Sequence, residues 1–150
     1  MSPGRALAIA FAVAAFLVVS FAVARWLTQD NRERSAVTDL LTAQARGDAR
    51  AMLAALDGCA RDAACRARVE GNALSLRRRG PLRIVRYDSA TARSFGDRTG
   101  PTRVAWTGGA GAAVVVQCVT VERRGLALLG ADIVLSAIGK PIKGDSSCPR

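Results

Sequence analysis

Four cysteines, one run of three arginines and a complete lack of histidine decide which chemistry this 150-residue chain could support. Cys59, Cys65, Cys118 and Cys148 are separated by five, fifty-two and twenty-nine residues. That spacing matches neither a pair of C-x2-C knuckles nor a zinc pattern completed by histidine, so a metal site is not expected. An even set of four in a small exported chain reads instead as two disulfides. Of the three possible pairings we favour Cys59 with Cys65, stapling a tight loop, and Cys118 with Cys148, tying the C-terminal tail to a strand. The alternative is four unrelated buried thiols in a reducing compartment. Without histidine there are no imidazole bases and no Ser-His or Cys-His nucleophile pairs, so an enzyme is disfavoured and no cofactor is expected.

The charge is +10, from twenty Arg and two Lys against twelve Asp plus Glu. A surface this basic suits nucleic acid, anionic lipid or an acidic envelope polymer, since each presents dense negative charge. The one run is Arg77-Arg78-Arg79, and with neighbouring Arg83 it is the candidate contact for an anionic partner. The plain alternative is an arginine-rich composition spread over a solvated surface. Nucleic acid is disfavoured because aromatic residues for base stacking make up only 5% of the chain.

Positioning these residues begins with the run at 6–24, nineteen residues without a charge, ten of them Leu, Ile, Val or Phe. As a helix it spans roughly 29 Å, close to the hydrocarbon thickness of a bilayer. Its length and the following Trp26 favour an anchor, whereas Ala22-Val23-Ala24 offers a peptidase site before Arg25. The expectation is a cytoplasmic tail at 1–5, a retained transmembrane helix at 6–27, a juxtamembrane linker at 28–34 and a domain at 35–143 with a tail at 144–150. Arg25, Arg32 and Arg34 oppose an inside N-terminus on a simple count, but long domains cross largely regardless of charge and the cysteines favour an extracytoplasmic side. Secretion after cleavage behind Ala24 is the alternative.

Beyond the linker, Val37, Leu40, Leu41 and Ala45 make a helical apolar stripe. Gly47 then suits a helix C-terminus and Asp48 an N-cap, so a second helix restarts through Met52, Leu53 and Leu56. A third helical stretch runs from about Asp62 to Leu76, weakened by Gly71 and Asn72, and "RGP" at 79–81 closes the helical half. The period then falls to two in "LRIVRYDSA", "TRVAWT", "AAVVVQCVTVERR" and "ADIVLSAIGKPI", which predicts four strands, with a loop or edge at 89–101. Two or three helices packed on one face of a four-stranded antiparallel sheet give an α+β fold.

The segment "LLTAQARGDARAMLAAL", two helices broken at Gly-Asp and followed by meandering strands, resembles the nuclear transport factor two-like superfold (SnoaL-like or cystatin-like), including its short single-pass actinobacterial versions, over residues 35–143. The resemblance implies a curved sheet around a conical cavity. Tyr87, Asp88, Gln117 and Asp132 are the strand polar residues such a cavity could receive, with Trp106 as a wall, and Tyr87, Trp106 and Gln117 are the ligand-pocket candidates. Each has an ordinary structural role open to it: core aromatic, satisfied polar partner, strand-end or outward acid.

Because the superfold fixes architecture rather than activity, the expected function is a membrane-anchored accessory or binding domain of the cell envelope, its partner an envelope protein complex or an anionic polymer or lipid. Two further readings stand beside it. A small enzyme would use the cup. A minor pilin-like subunit would use the same plan of apolar helix, sheet and C-terminal disulfide, although no acidic residue precedes Asp30.

Overall fold

The apolar run and the stripe at Val37, Leu40, Leu41 and Ala45 belong to one helix, α1 (Pro3–Arg46), 44 residues long. In the computed structural model the described residues are 3–91, 96–126 and 130–149, without the side chains of Ala6, Trp26, Leu27 and Gln29. The segment 28–34, expected as a linker, is helical throughout. It holds no Gly or Pro, and its Gln, Arg and Glu residues are good helix formers, so nothing interrupts the ladder. An 18-residue apolar window of α1 has none of its residues buried in the protein. Further along, Glu33, Val37, Leu40, Leu41 and Gln44 are fully enclosed. One helix of about 66 Å therefore carries both an apolar rod and the spine of a domain.

Gly47, with φ +76°, ends α1. Its N–H donates to Gln44 O and that of Asp48 to Ala43 O, both at 2.9 Å, the paired bonds of a Schellman ending. The Asp48 carboxylate then accepts from Ala51 N at 2.9 Å and starts α2 (Ala49–Ala55). A 3-10 turn (Cys59–Arg61) leads to α3 (Ala63–Ser75), capped by Asp62, which accepts from Ala64 N and Cys65 N. α3 runs through Gly71 and Asn72 unbroken; Asn72 is buried and donates to Gly139 O at 3.0 Å, a tertiary bond that favours the helical course.

Strands β1 (Leu82–Asp88), β2 (Arg98–Gly108), β3 (Val115–Arg124) and β4 (Asp132–Ile138) pair antiparallel in the order β1-β2-β3-β4. Strand β2 thus begins at Arg98, inside the expected loop, while residues 92–95 of that loop lie outside the described residues. Register puts Val104 opposite Gln117, Thr102 opposite Val119 and Trp106 opposite Val115, all facing the helices. The helices pack on that face, and the core joins Val37, Leu40, Leu41, Met52 and Leu56 to Val69, Trp106, Val119, Val121 and Ile138. On the opposite face the C-terminal segment crosses the sheet, where Arg103 donates from Nε to Ser146 O at 3.1 Å and from Nη2 to Gly144 O.

The first strand is placed by close backbone approach. A Cβ on Gly80 would come 2.6 Å from the Gly109 Cα, and one on Gly108 would collide with the Arg78 side chain. Only glycine fits at either position.

Candidate functional site

Both cysteine pairs form as the spacing predicts: Cys59 is bonded to Cys65 and Cys118 to Cys148. The first locks the 3-10 turn to the start of α3. The second fixes the C-terminal segment to β3, which explains how a chain end without strand or helix holds its course.

The most unusual grouping of polar side chains is centred on Glu33, within the stretch expected to be a linker. Its carboxylate has no solvent exposure. It accepts from Tyr87 OH at 2.8 Å, from Thr102 Oγ1 at 2.9 Å and, closer still, from Thr91 Oγ1. The Arg123 guanidinium lies 3.6 Å away and also reaches Asp30 at 3.2 Å. Residues of α1, β1, β2 and β3 therefore converge on one anion. Burying a carboxylate is tolerable only with such donors, since desolvation alone costs several kcal/mol. With both oxygens already engaged, Glu33 is suited to holding elements together rather than to accepting a substrate proton.

Tyr87 serves this centre. Burial pushes its phenol well above the ordinary range, and the Glu33 charge and hydrogen bond push it further, with the Arg34 cation opposing. It therefore stays a protonated donor at physiological pH. The Arg34 guanidinium stacks 5.6 Å from the Tyr87 ring. Beside them Asp30, Asn31, Arg34, Tyr87 and Ser89 line a surface pocket of about 240 Å³.

Trp106 and Gln117, the other two pocket candidates, belong to a different hydrogen-bond network. Both have no exposure, and Trp106 Nε1 donates to Gln117 Oε1 at 2.9 Å. Gln117 completes a second buried network by exchanging bonds with Gln44 at 2.8 and 3.3 Å and donating to Gly139 O at 3.1 Å. Register sets Tyr87 opposite Val104 and Val104 opposite Gln117, but the Tyr87 hydroxyl serves Glu33 while the polar atoms of Trp106 and Gln117 are paired with each other within the core. Asp88 is a strand-end acid bonded to Arg86 and Arg103, and Asp132 is exposed at the start of β4.

The arginine run sits at the far end of α1. Arg78 N donates to Ala45 O at 2.8 Å, and Arg78 is half-buried against Gly108, whereas Arg77, Arg79 and Arg83 are exposed. Arg83 pairs with Thr107 on β2, next to Gly108, so all four arginines gather at this end. None of the four forms an ion pair among the described residues. Among the same residues, no cluster of acidic or cysteine side chains could hold a metal.

Glu33, Gln44, Thr102 and Arg123 escaped the sequence reading although their phase was visible. Glu33 lies four residues before Val37, and Gln44 four after Leu40, on the same helical face. Thr102 precedes Val104 and Trp106, and Arg123 follows Val119 and Val121, at the inward period of two. Comparison of the chain with protein-family models, curated proteins and solved structures gives no match.

Proposed function

We propose that the chain is a single-pass envelope protein, its amino terminus inside, whose retained apolar helix displays a disulfide-braced domain outside the cytoplasmic membrane as a binding or accessory module. One observation carries this reading: α1 continues without a break from a window wholly outside the protein core into the residues that build it. A side chain layer such as Phe11, Phe16, Leu17 and Phe21, all more than half exposed, needs an apolar solvent. The two disulfides support an oxidising compartment.

The domain acts by contact rather than turnover in this reading, in the manner of accessory domains of the nuclear transport factor two-like superfold. The burial of Trp106 and Gln117 favours a surface contact over a cup, and the exposed Arg77, Arg79 and Arg83 provide one for an anionic partner.

Intact mass and membrane fractionation of the native protein test the proposal. The expected product is an uncut chain in the membrane fraction, lighter by four hydrogens, two for each disulfide. A chain beginning at Arg25, or thiols labelled by an impermeant reagent only after lysis, would overturn it.

A pilin-like subunit is the second reading, favoured by the passage of one helix from apolar rod to sheet-packed spine together with the Cys118–Cys148 bond. It requires filaments visible by electron microscopy. Monomers held in the membrane exclude it.

A further inference from the structure

β3 touches two different levels of α1. Gln117 meets Gln44, and Arg123 meets Asp30. Six residues of strand cover about 20 Å and fourteen of helix about 21 Å, so β3 runs nearly antiparallel to α1 and points back toward its apolar half. Strand β3 ends at Arg124, and Gly125, with φ +95°, turns the chain, so Leu126 stands just past the end of β3 that points to the apolar half of α1. The returning chain agrees with this placement, because a Cβ on Gly130 would collide with the Arg25 guanidinium. Arg25 is the first charge after the run at 6–24, and residues 125–131 contain no charge in the sequence.

Leu126 is 57% exposed. Single exposed apolar side chains are ordinary, and Leu74, Val85 and Val114 are others outside α1. What distinguishes Leu126 is its height. Leu74 belongs to the opposite end, since neighbouring Ala73 packs on Gly47 at the close of α1.

We propose that Leu126 is a second membrane contact, entering the boundary between headgroups and acyl chains where α1 leaves the bilayer. The domain then rests against the lipid surface instead of swinging on its helix. Amphipathic and single apolar insertions at this depth are favourable in proportion to the apolar area they bury. The inference rests on the reading that residues 6–24 stay in the membrane.

The test uses the full chain in vesicles of phosphatidylcholine and phosphatidylglycerol brominated near the glycerol end of the acyl chains. Leu126→Trp and Leu74→Trp are compared after subtracting the fluorescence of the unsubstituted protein, with circular dichroism confirming the fold of each. Both positions are exposed, so neither substitution disturbs the core. The indole introduced at 126 should be quenched at least about twofold more than that at 74. Equal quenching of the two, weak or strong, in protein that co-sediments with the vesicles overturns the contact while leaving the anchor standing. Protein that stays in the aqueous fraction overturns the anchor and the contact together.

Discussion

Glu33 and Arg123 face each other 3.6 Å apart, 0% and 1% exposed, and tie α1 to the third strand of the sheet. Breaking a buried pair costs about 3–5 kcal/mol, less where another partner remains, as Asp30 does for Arg123 at 3.2 Å, whereas removing both members can be nearly neutral. Glu33→Gln should therefore destabilise the domain by up to several kcal/mol, and Glu33→Gln combined with Arg123→Met should recover a large part. Denaturant unfolding in detergent measures both. A single variant as stable as the parent would show that the pair contributes little.

Tyr87 offers a test through pH, because it is the chain's single tyrosine. Its phenol is raised first by burial and then by Glu33. Folded and unfolded states both hold the proton below about pH 10, so the group adds no slope there. Above that, the unfolded chain loses its proton first and stability falls by up to about 1.4 kcal/mol per pH unit. The phenolate absorbance of the folded protein should appear only at much higher pH than in unfolded chain. Tyr87→Phe should cost about 1.5–3 kcal/mol at neutral pH and flatten the alkaline fall. A normal phenol titration in folded protein would contradict the buried hydrogen bond.

These two residues also mark how far the sequence could be read. Tyr87 was visible as a polar side chain in a strand, but its partner was not, because Glu33 lies 54 residues away in a stretch without apolar neighbours on either side. Local pattern reveals which face of an element turns inward; it does not reveal which polar group waits there. Gly47 and Asp48 were legible because the helix ending and restart are written in adjacent residues. The cysteine pairs were legible because few pairings compete. The continuity of α1 was hidden by the fall in hydropathy after Arg25, which changes what surrounds a helix without changing the helix.

The two disulfides should differ in effect. Cys118 and Cys148 enclose a sequence separation of 30, and Cys59 and Cys65 one of 6. Loop-closure entropy assigns about 4 kcal/mol to the first and about 2 kcal/mol to the second. Cys118→Ser with Cys148→Ser should therefore lower stability more than Cys59→Ser with Cys65→Ser, and should also free residues 144–148 for proteolysis. Equal losses by chemical denaturation would mean that native packing, not loop closure, sets the contribution of each bond.

The arginine cluster gives the sharpest distinction between partners. Arg78 is bonded to Ala45, twenty residues beyond Arg25, which puts it about 30 Å along the helix from the last uncharged residue. Surface charges lose most of their influence beyond about 8 Å at physiological salt. With α1 anchored as proposed, lipids of the host bilayer are out of reach at that salt, and the proposed anionic partner would come as a soluble polymer or as an acidic face of another protein. Arg77→Gln, Arg79→Gln and Arg83→Gln together should weaken binding of a soluble polyanion about three- to a hundred-fold at low salt, with the loss shrinking as salt rises. Arg78 is left in place because its side chain packs on Gly108 and its removal would disturb β1. At physiological salt, changing the host vesicle from zwitterionic to anionic lipid should leave the difference between parent and triple variant unaltered. If anionic lipid in the same bilayer instead competes with the polyanion, the cluster lies near the membrane and the antiparallel placement of α1 and β3 relative to the bilayer is wrong.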